Sequence, residues 1–504
     1  MNRTRSGLAV ALLAAVGWFI YLACYRVDDA YIVYRYATNL ARGDGFVFNL
    51  HERVEGVTCF LWTLFLAPFA AAGAPLPVAG PILTGMAGVL ILLLAPGTLA
   101  SLTGRSRPEI GDWSVSALLA AHPSFAYWSV GGLETVPFAL LLLLALRDQS
   151  REQAVGHGRR SAVWIGLATL IRPETPLLAA AFAMGRWFDG PGRDSREKAR
   201  DIFRWSGTVA LFLAPFLLFR HFYFGDWLPN TYYAKLGPGL GSNLEAGRLY
   251  TLGFLSSLVP AFGVANDLTG WIGVLIFLGL VAFGLPRPEL RTAALLVLGV
   301  GTAVLLEGGD WMFLHRMWVP ALPPLFLLLA AAGRRLSESW PRHRVAARSI
   351  AVLLIASYLV AAARERNGPN GLAVNAAGYR SAHHQVAAFL KEQGRSGDAV
   401  ALMDIGLIGY ESGLQVLDIS GLTDRDVAHA PGGFLEKEYP VGALLAKAPR
   451  FFVLVNRFKM DETIRNDPDF QQRYRLVMER NHRYNWTPPG SYLLSVYERI
   501  AAPV

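Results

Sequence analysis

Two adjacent carboxylates, Asp28 and Asp29, follow directly on an apolar run over residues 8–24 and open the segment DDAYIVYRYATNLARGDGFVFNLHERVEGVT. A carboxylate held ionised within reach of a hydroxyl can act as a general base. Arg and Lys nearby can receive an anionic leaving group, Arg through a planar fork and Lys as a point charge. With no Pro before Gly43, the residues after Asp29 predict a helix of about three to four turns. On it Asp28, Tyr31 or Ile32, and Arg35 share a face, while Asp29 points roughly 100° away. The two carboxylates are therefore expected to have different roles. One accepts backbone N–H groups as a helix cap and the other faces a substrate. Asp28 is the preferred base because it shares the face of Arg35, with Asp29 the second catalytic candidate.

Further ionisable groups sit in short polar motifs between apolar runs. Glu55 lies in ERVEG, Glu134 in GGLET, Arg172 and Glu174 in RPE, Asp226 and Lys235 in HFYFGDWLPNTYYAK, and Asp310 in EGGDW, followed by His315 and Arg316. With Arg35 these are the candidate substrate contacts, since charge beside a bilayer lines a polar cavity or is paired. Plainer readings compete. ERVEG reads equally as a solvated loop, Arg172 with Glu174 as a structural ion pair, and His315 as a satisfied helix-end residue. Trp128, Trp227 and Trp311 are possible stacking platforms, although Trp also gathers at membrane interfaces. Gly43-Asp44-Gly45 lacks the strand, spacing and Lys of a phosphate loop. Cys24 and Cys59 are the only cysteines, and HExxH, Cys/His and EF-hand spacings are absent, so neither a disulfide framework nor a protein metal site is expected. A divalent cation such as Mg²⁺ is compatible with the site as an accessory.

The elements that carry these motifs are membrane helices. Of 504 residues 53% are hydrophobic and 17% charged, which suits a polytopic membrane protein. Apolar runs recur at 60–72, 76–102, 113–130, 136–146, 161–185, 205–219, 271–285, 292–306, 317–332 and 350–362, and in lipid such runs must be helical. The net charge of +9 resides in short basic clusters between these runs, as in cytoplasmic loops, so nucleic-acid binding is not expected. Arg3 and Arg5 put the N-terminus inside, and the first run reads as a retained helix rather than a cleaved signal. The polar motifs then fall together outside, as one composite site. Two places strain the count. One of 60–72 and 76–102 is expected to be re-entrant, interfacial or split, and 161–185 to break at Arg172-Pro173-Glu174. After Ala362, runs such as AVALMDI, LQVLDIS, RFFVLVNR and SYLLSVYERI alternate with SAHHQVAAFLKEQG and predict a small α/β domain. The expected organisation is mainly α. A transmembrane bundle over 1–363, with its first extracytoplasmic loop at 26–58, is followed by an extracytoplasmic α/β domain over 364–504.

The chain resembles the GT-C class of membrane glycosyltransferases, and within it the terminal arabinofuranosyltransferases of actinobacterial cell walls and their bacterial relatives. The resemblance is carried by Asp28-Asp29-Ala30-Tyr31 through Gly56, Gly132 to Thr135, Arg172-Pro173-Glu174, Gly225 to Asn230, Gly308 to Trp311, Asp404-Ile405-Gly406 and Asp418 to Thr423. It implies an inverting transferase of the bacterial inner membrane with an Asp base. Such an enzyme takes a sugar, arabinofuranose being the one suggested, from a polyprenyl-phosphate donor to a cell-envelope glycan or lipid acceptor. The rival readings are a polyprenyl-lipid or solute transporter (flippase) and a non-catalytic envelope assembly factor.

Overall fold

The computed structural model describes residues 2–24, 26–156, 158–189, 194–235, 239–260, 267–369, 371–433, 435–482 and 492–500. Of the tail strands expected, SYLLSVYERI begins on a residue outside this set. The chain divides into two units, one of Met1–Ala23, Gly80–Phe216 and Leu240–Arg364, the other of Cys24–Ala79, Leu217–Gly239 and Glu365–Val504.

The first unit is helical. Among the described residues four helices, Leu76–Leu102, Ser195–Phe224, Pro288–Glu307 and Phe313–Ser339, are long and apolar enough to cross a membrane. The strained runs resolve as separate elements. The run at 60–72, which belongs to the second unit, is the 12-residue helix Phe60–Ala71, about 18 Å long and too short for a hydrocarbon core of about 30 Å. The run at 113–130 breaks at His122, ahead of Pro123, because Pro disfavours helical backbone in the residue before it. The run at 161–185 is interrupted between Arg160–Thr169 and Thr175–Asp189. Not every basic-cluster residue is solvated. Buried Arg186 bonds Glu152 at 2.7 Å and Asp201 at 3.0 Å, and Ser161 Oγ joins Glu152 and the Trp205 indole. Removing one member of such a staple leaves uncompensated buried charge.

The second unit is built on a five-stranded sheet, β1 (Ala399–Leu402), β2 (Gln415–Asp418), β3 (Phe451–Val455), β4 (Tyr474–Asn481) and β5 (Leu493–Arg499), in the order β2-β1-β3-β5-β4. β1 pairs parallel with β2 and β3, and β5 pairs antiparallel with β3 and β4. Central β3 is buried along its length, which matches a continuous apolar run. β4, YRLVMERN, is largely exposed at an edge. Its charges protect that edge and hide the strand from hydrophobic patterning. Phe452, Leu454, Phe470 and Tyr474 form a core on one face of the sheet with Leu444 and Ile464.

Candidate functional site

The candidate residues fall into two groups, one in each unit. In the second unit, Asp28–Arg42 is a helix closed by Gly43 in the left-handed conformation. The N-cap is Val27, so neither aspartate occupies the capping position expected of one of them. Asp28 instead accepts hydrogen bonds from the Gly406 and Leu407 amides, 2.8 Å each, one to each carboxylate oxygen. The fit is close enough that a Cβ on Gly406 would run into the Asp28 carbonyl and carboxylate. Burial pushes Asp28 up to about 7, and the charge of Asp404 pushes the same way. Asp29 is half-buried.

Arg35 does share the face of Asp28, and that face packs on the turn after β1. Its guanidinium donates to the Phe48, Gly409 and Leu414 carbonyls at 2.8, 2.5 and 2.7 Å and to Asn49 Oδ1 at 3.3 Å. Burial lowers it to about 10. Asn49 in turn bonds both backbone groups of Val416, N–H to Oδ1 at 3.0 Å and Nδ2–H to C=O at 2.7 Å, which closes part of the open edge of β2. Glu55 is buried in a two-point pair with Arg220, 2.6 and 3.1 Å. Burial raises its carboxyl against the pull of Arg220. Asp226 pairs with the half-exposed Arg425 at 3.0 Å, and Lys235 is exposed at the end of Asn230–Lys235. Asn230 Nδ2 bonds the Gly421 and Leu422 carbonyls, in the turn that Asp418 organises by accepting from Ser420 and Thr423.

In the first unit, GGLET and RPE meet. Arg172 bonds Glu134 at 3.0 Å and Glu174 at 2.8 Å, all three buried or nearly so, so one guanidinium neutralises one of two carboxylates. Asp310 pairs with Arg316 at 2.7 Å, and Arg316 lies 5.9 Å from the Trp128 ring centre. The Trp128 indole donates to the Phe313 carbonyl at 3.1 Å. Leu314 and His315 both take positive φ, 59° and 49°, and such backbone costs about 1–3 kcal/mol per residue and gathers at functional sites. His315 packs edge-on against Tyr250, 5.2 Å between ring centres. Trp227 stacks on His221 at 4.2 Å within the second unit. Among the described residues no three His, Cys, Asp or Glu side chains converge as metal ligands.

Comparison with solved structures gives a TM-score of 0.60 over 99% of this chain and 100% of ArnT from Cupriavidus metallidurans bound to undecaprenyl phosphate, at 12% identity. The fold is that of the GT-C membrane glycosyltransferases. The oligosaccharyltransferase AglB from Archaeoglobus fulgidus, in complex with an inhibitory peptide and a dolichol-phosphate, aligns at TM-score 0.54 and 11% identity over 96% of this chain and 75% of its own. In sequence, the chain is similar to the terminal beta-(1->2)-arabinofuranosyltransferase of Mycobacterium tuberculosis, 27% identical over 371 residues. That match covers 66% of this chain and 56% of the relative, so the chain spans little more than half of that protein's length. Residues 372–497 match a family model described as "Domain of unknown function (DUF8728)".

Several residues of these networks escape sequence reasoning. Arg220 hides near the end of an apolar helix, and Arg425 stands in no recognisable spacing. Asn49 and Asn230 lie in quoted motifs, and that was the only signal for them.

Proposed function

We propose that this chain is an inverting membrane glycosyltransferase that moves a sugar from a polyprenyl-phosphate to a cell-envelope glycan or lipid acceptor. The observation that carries the reading is a pair of adjacent carboxylates opening one helix of a GT-C fold, one of them clamped by two backbone amides. Asp28 is fastened through both oxygens to backbone amides, a seat that suits a structural carboxylate, and Asp29, half-buried on another face of the same helix, is the base in this reading. A base must first be within hydrogen-bond reach of its proton, and only then does its acidity matter. The raised Asp28 therefore ranks second despite a value suited to neutral pH.

In this reading Asp29 takes the acceptor hydroxyl proton as the oxygen attacks the anomeric carbon. The bond to the lipid phosphate breaks on the opposite face, and the phosphate leaves with the electron pair. Lys235, in the same unit as Asp29, is the candidate to meet it, with Asp226 a further contact there; in the other unit Arg172 and Arg316, with Glu134, Glu174, Asp310 and His315, are proposed separately as substrate contacts. The likeness to an arabinofuranosyltransferase supports arabinofuranose as the sugar, and the lipid phosphates bound by ArnT and AglB support the carrier. The site then faces away from the cytoplasm, across the bacterial inner membrane.

The test uses purified full-length protein in nanodiscs with radiolabelled polyprenyl-phosphoryl arabinofuranose and an arabinofuranosyl acceptor glycoside, with EDTA and Mg²⁺ arms. Label in the acceptor supports the reading. Movement of the labelled lipid across vesicles without transfer identifies a flippase, and neither outcome leaves an assembly factor.

A further inference from the structure

Asp404 follows β1 and stands two residues before Gly406, whose amide holds Asp28. One of its oxygens, Oδ2, receives both the Tyr492 hydroxyl at 2.6 Å and His383 Nε2 at 3.0 Å. His383 is fully buried and is backed by a second buried imidazole, with 3.1 Å between its Nδ1 and that of His482. A nitrogen pair at that distance shares one proton, so the chain His482–His383–Asp404 is a directed hydrogen-bond relay that ends on a carboxylate. Tyr379 stacks on His383 at 4.3 Å and fixes the ring.

What lies on the other side of Asp404 gives the relay its meaning. The Asp404 side chain keeps 21% of its surface exposed, and among the described residues Oδ1 has no protein donor. Asp28 lies within electrostatic reach of both Asp29 and Asp404. A buried Asp–His–His chain serving stability alone has no need to leave an oxygen open beside two further carboxylates. At the C-terminal end of a parallel strand, moreover, an open α/β sheet commonly binds its ligands. Burial works against ionisation of Asp404, but the His383 hydrogen bond and charge outweigh it, and the carboxyl falls below the usual aspartate range.

We propose that Asp404 is a third carboxylate of the site, whose Oδ1 accepts a hydrogen bond from a hydroxyl of a bound sugar while His383 and Tyr492 hold Oδ2. Its partner is a polyol, either the furanose or pyranose ring of the lipid-linked donor or the terminal residue of the acceptor glycan. His383 and His482 are positioning residues that act through Asp404. The inference rests on the transferase reading for the identity of its ligand, but it is separately testable because binding is measured apart from turnover.

Full-length wild type and the variants Asp404→Asn, Asp404→Glu and His383→Gln are assayed for binding and turnover. The probes are polyprenyl-phosphoryl arabinofuranose, an arabinofuranosyl disaccharide glycoside, and their monodeoxy analogues. A charge-assisted hydrogen bond is worth about 10- to 100-fold in affinity. Asp404→Asn should therefore weaken one probe by that factor and leave the other unchanged, and the probe affected tells donor from acceptor. One deoxy analogue should lose the same factor against wild type and nothing further against Asp404→Asn, a coupling that a merely structural role does not produce. His383→Gln should give a smaller loss on the same probe. Equal weakening of both probes, full additivity with every deoxy position, or no binding of either probe to wild type overturns the proposal. Binding with this coupling but without transfer overturns only the transferase reading.

Discussion

Replacing Asp29 by Asn removes the proposed proton acceptor while keeping the Asp28 bonds that seat the helix Asp28–Arg42. The expected result is a fall in kcat of about 10² to 10⁴ with an unchanged thermal midpoint. Asp28→Asn should behave in the opposite way. A neutral amide offers one acceptor to the two amides of Gly406 and Leu407, and an unpaired buried N–H costs about 1–3 kcal/mol. Unfolding at a lower denaturant concentration, with residual turnover, is the expected signature, and the reverse pattern would exchange the two roles. Asp461 shares the pH dependence of stability with Asp28, both being raised to about 7 by burial. It accepts the Val455 amide through Oδ1 at 2.6 Å, and among the described residues its buried Oδ2 has no partner. Burial first, against the pull of that amide, pushes it up to about 7, above the ordinary aspartate value near 4. The folded state thus holds this proton more tightly than the unfolded chain does. Its stabilisation is complete below about pH 4 and is lost as pH rises through about 7, at roughly 1 kcal/mol per pH unit. Asp461→Asn should make the unfolding midpoint fall less steeply with pH across that window, as read by thermal melts from pH 5 to 8, the remaining slope belonging to Asp28.

At the scale of elements, the helix and loop 28–58 are fastened to the sheet by side chains that bond backbone. Arg35 reaches three carbonyls, Asn49 both groups of Val416, and Asn230 two carbonyls. Lys cannot reproduce a fork of that shape. Arg35→Lys should therefore lower stability by about 2 kcal/mol and leave KM for either substrate unchanged, which distinguishes fastening from the substrate contact its charge first suggested. The helix 28–42 was legible because its start, its Gly stop and its shared Asp28/Arg35 face are all local, and so were β1, β2 and β3 as short apolar runs. The partners were not. Asp28 meets residues 378 and 379 positions away, and nothing in residues 28–58 marks which backbone atoms their charges will meet. β4 was missed because its face pattern is charged, and the His383–Asp404 pair because neither residue has a spacing that signals contact.

The whole molecule tests its topology most simply by labelling. With Cys24 and Cys59 replaced by Ser, a cysteine at exposed Asp44 should react with a membrane-impermeant maleimide on intact cells. One at exposed Arg151 should react only after permeabilisation. Reaction of both from the same side would separate the first loop from the face on which a lipid-linked sugar is expected.

The unit that seats the first loop is assembled from three stretches of chain, Cys24–Ala79, Leu217–Gly239 and Glu365–Val504. The ribosome delivers Asp28 long before its cradle, 378 residues further on, so the first loop must wait unseated while the intervening chain is made. Seating therefore waits until β1 and the turn after it have been made, and a nascent chain cut short before β1 would carry Asp28 with no footing. For the same reason residues 372–497 made alone would present raw carbonyls at Gly409, Leu414 and Val416, an invitation to self-association rather than a free-standing domain.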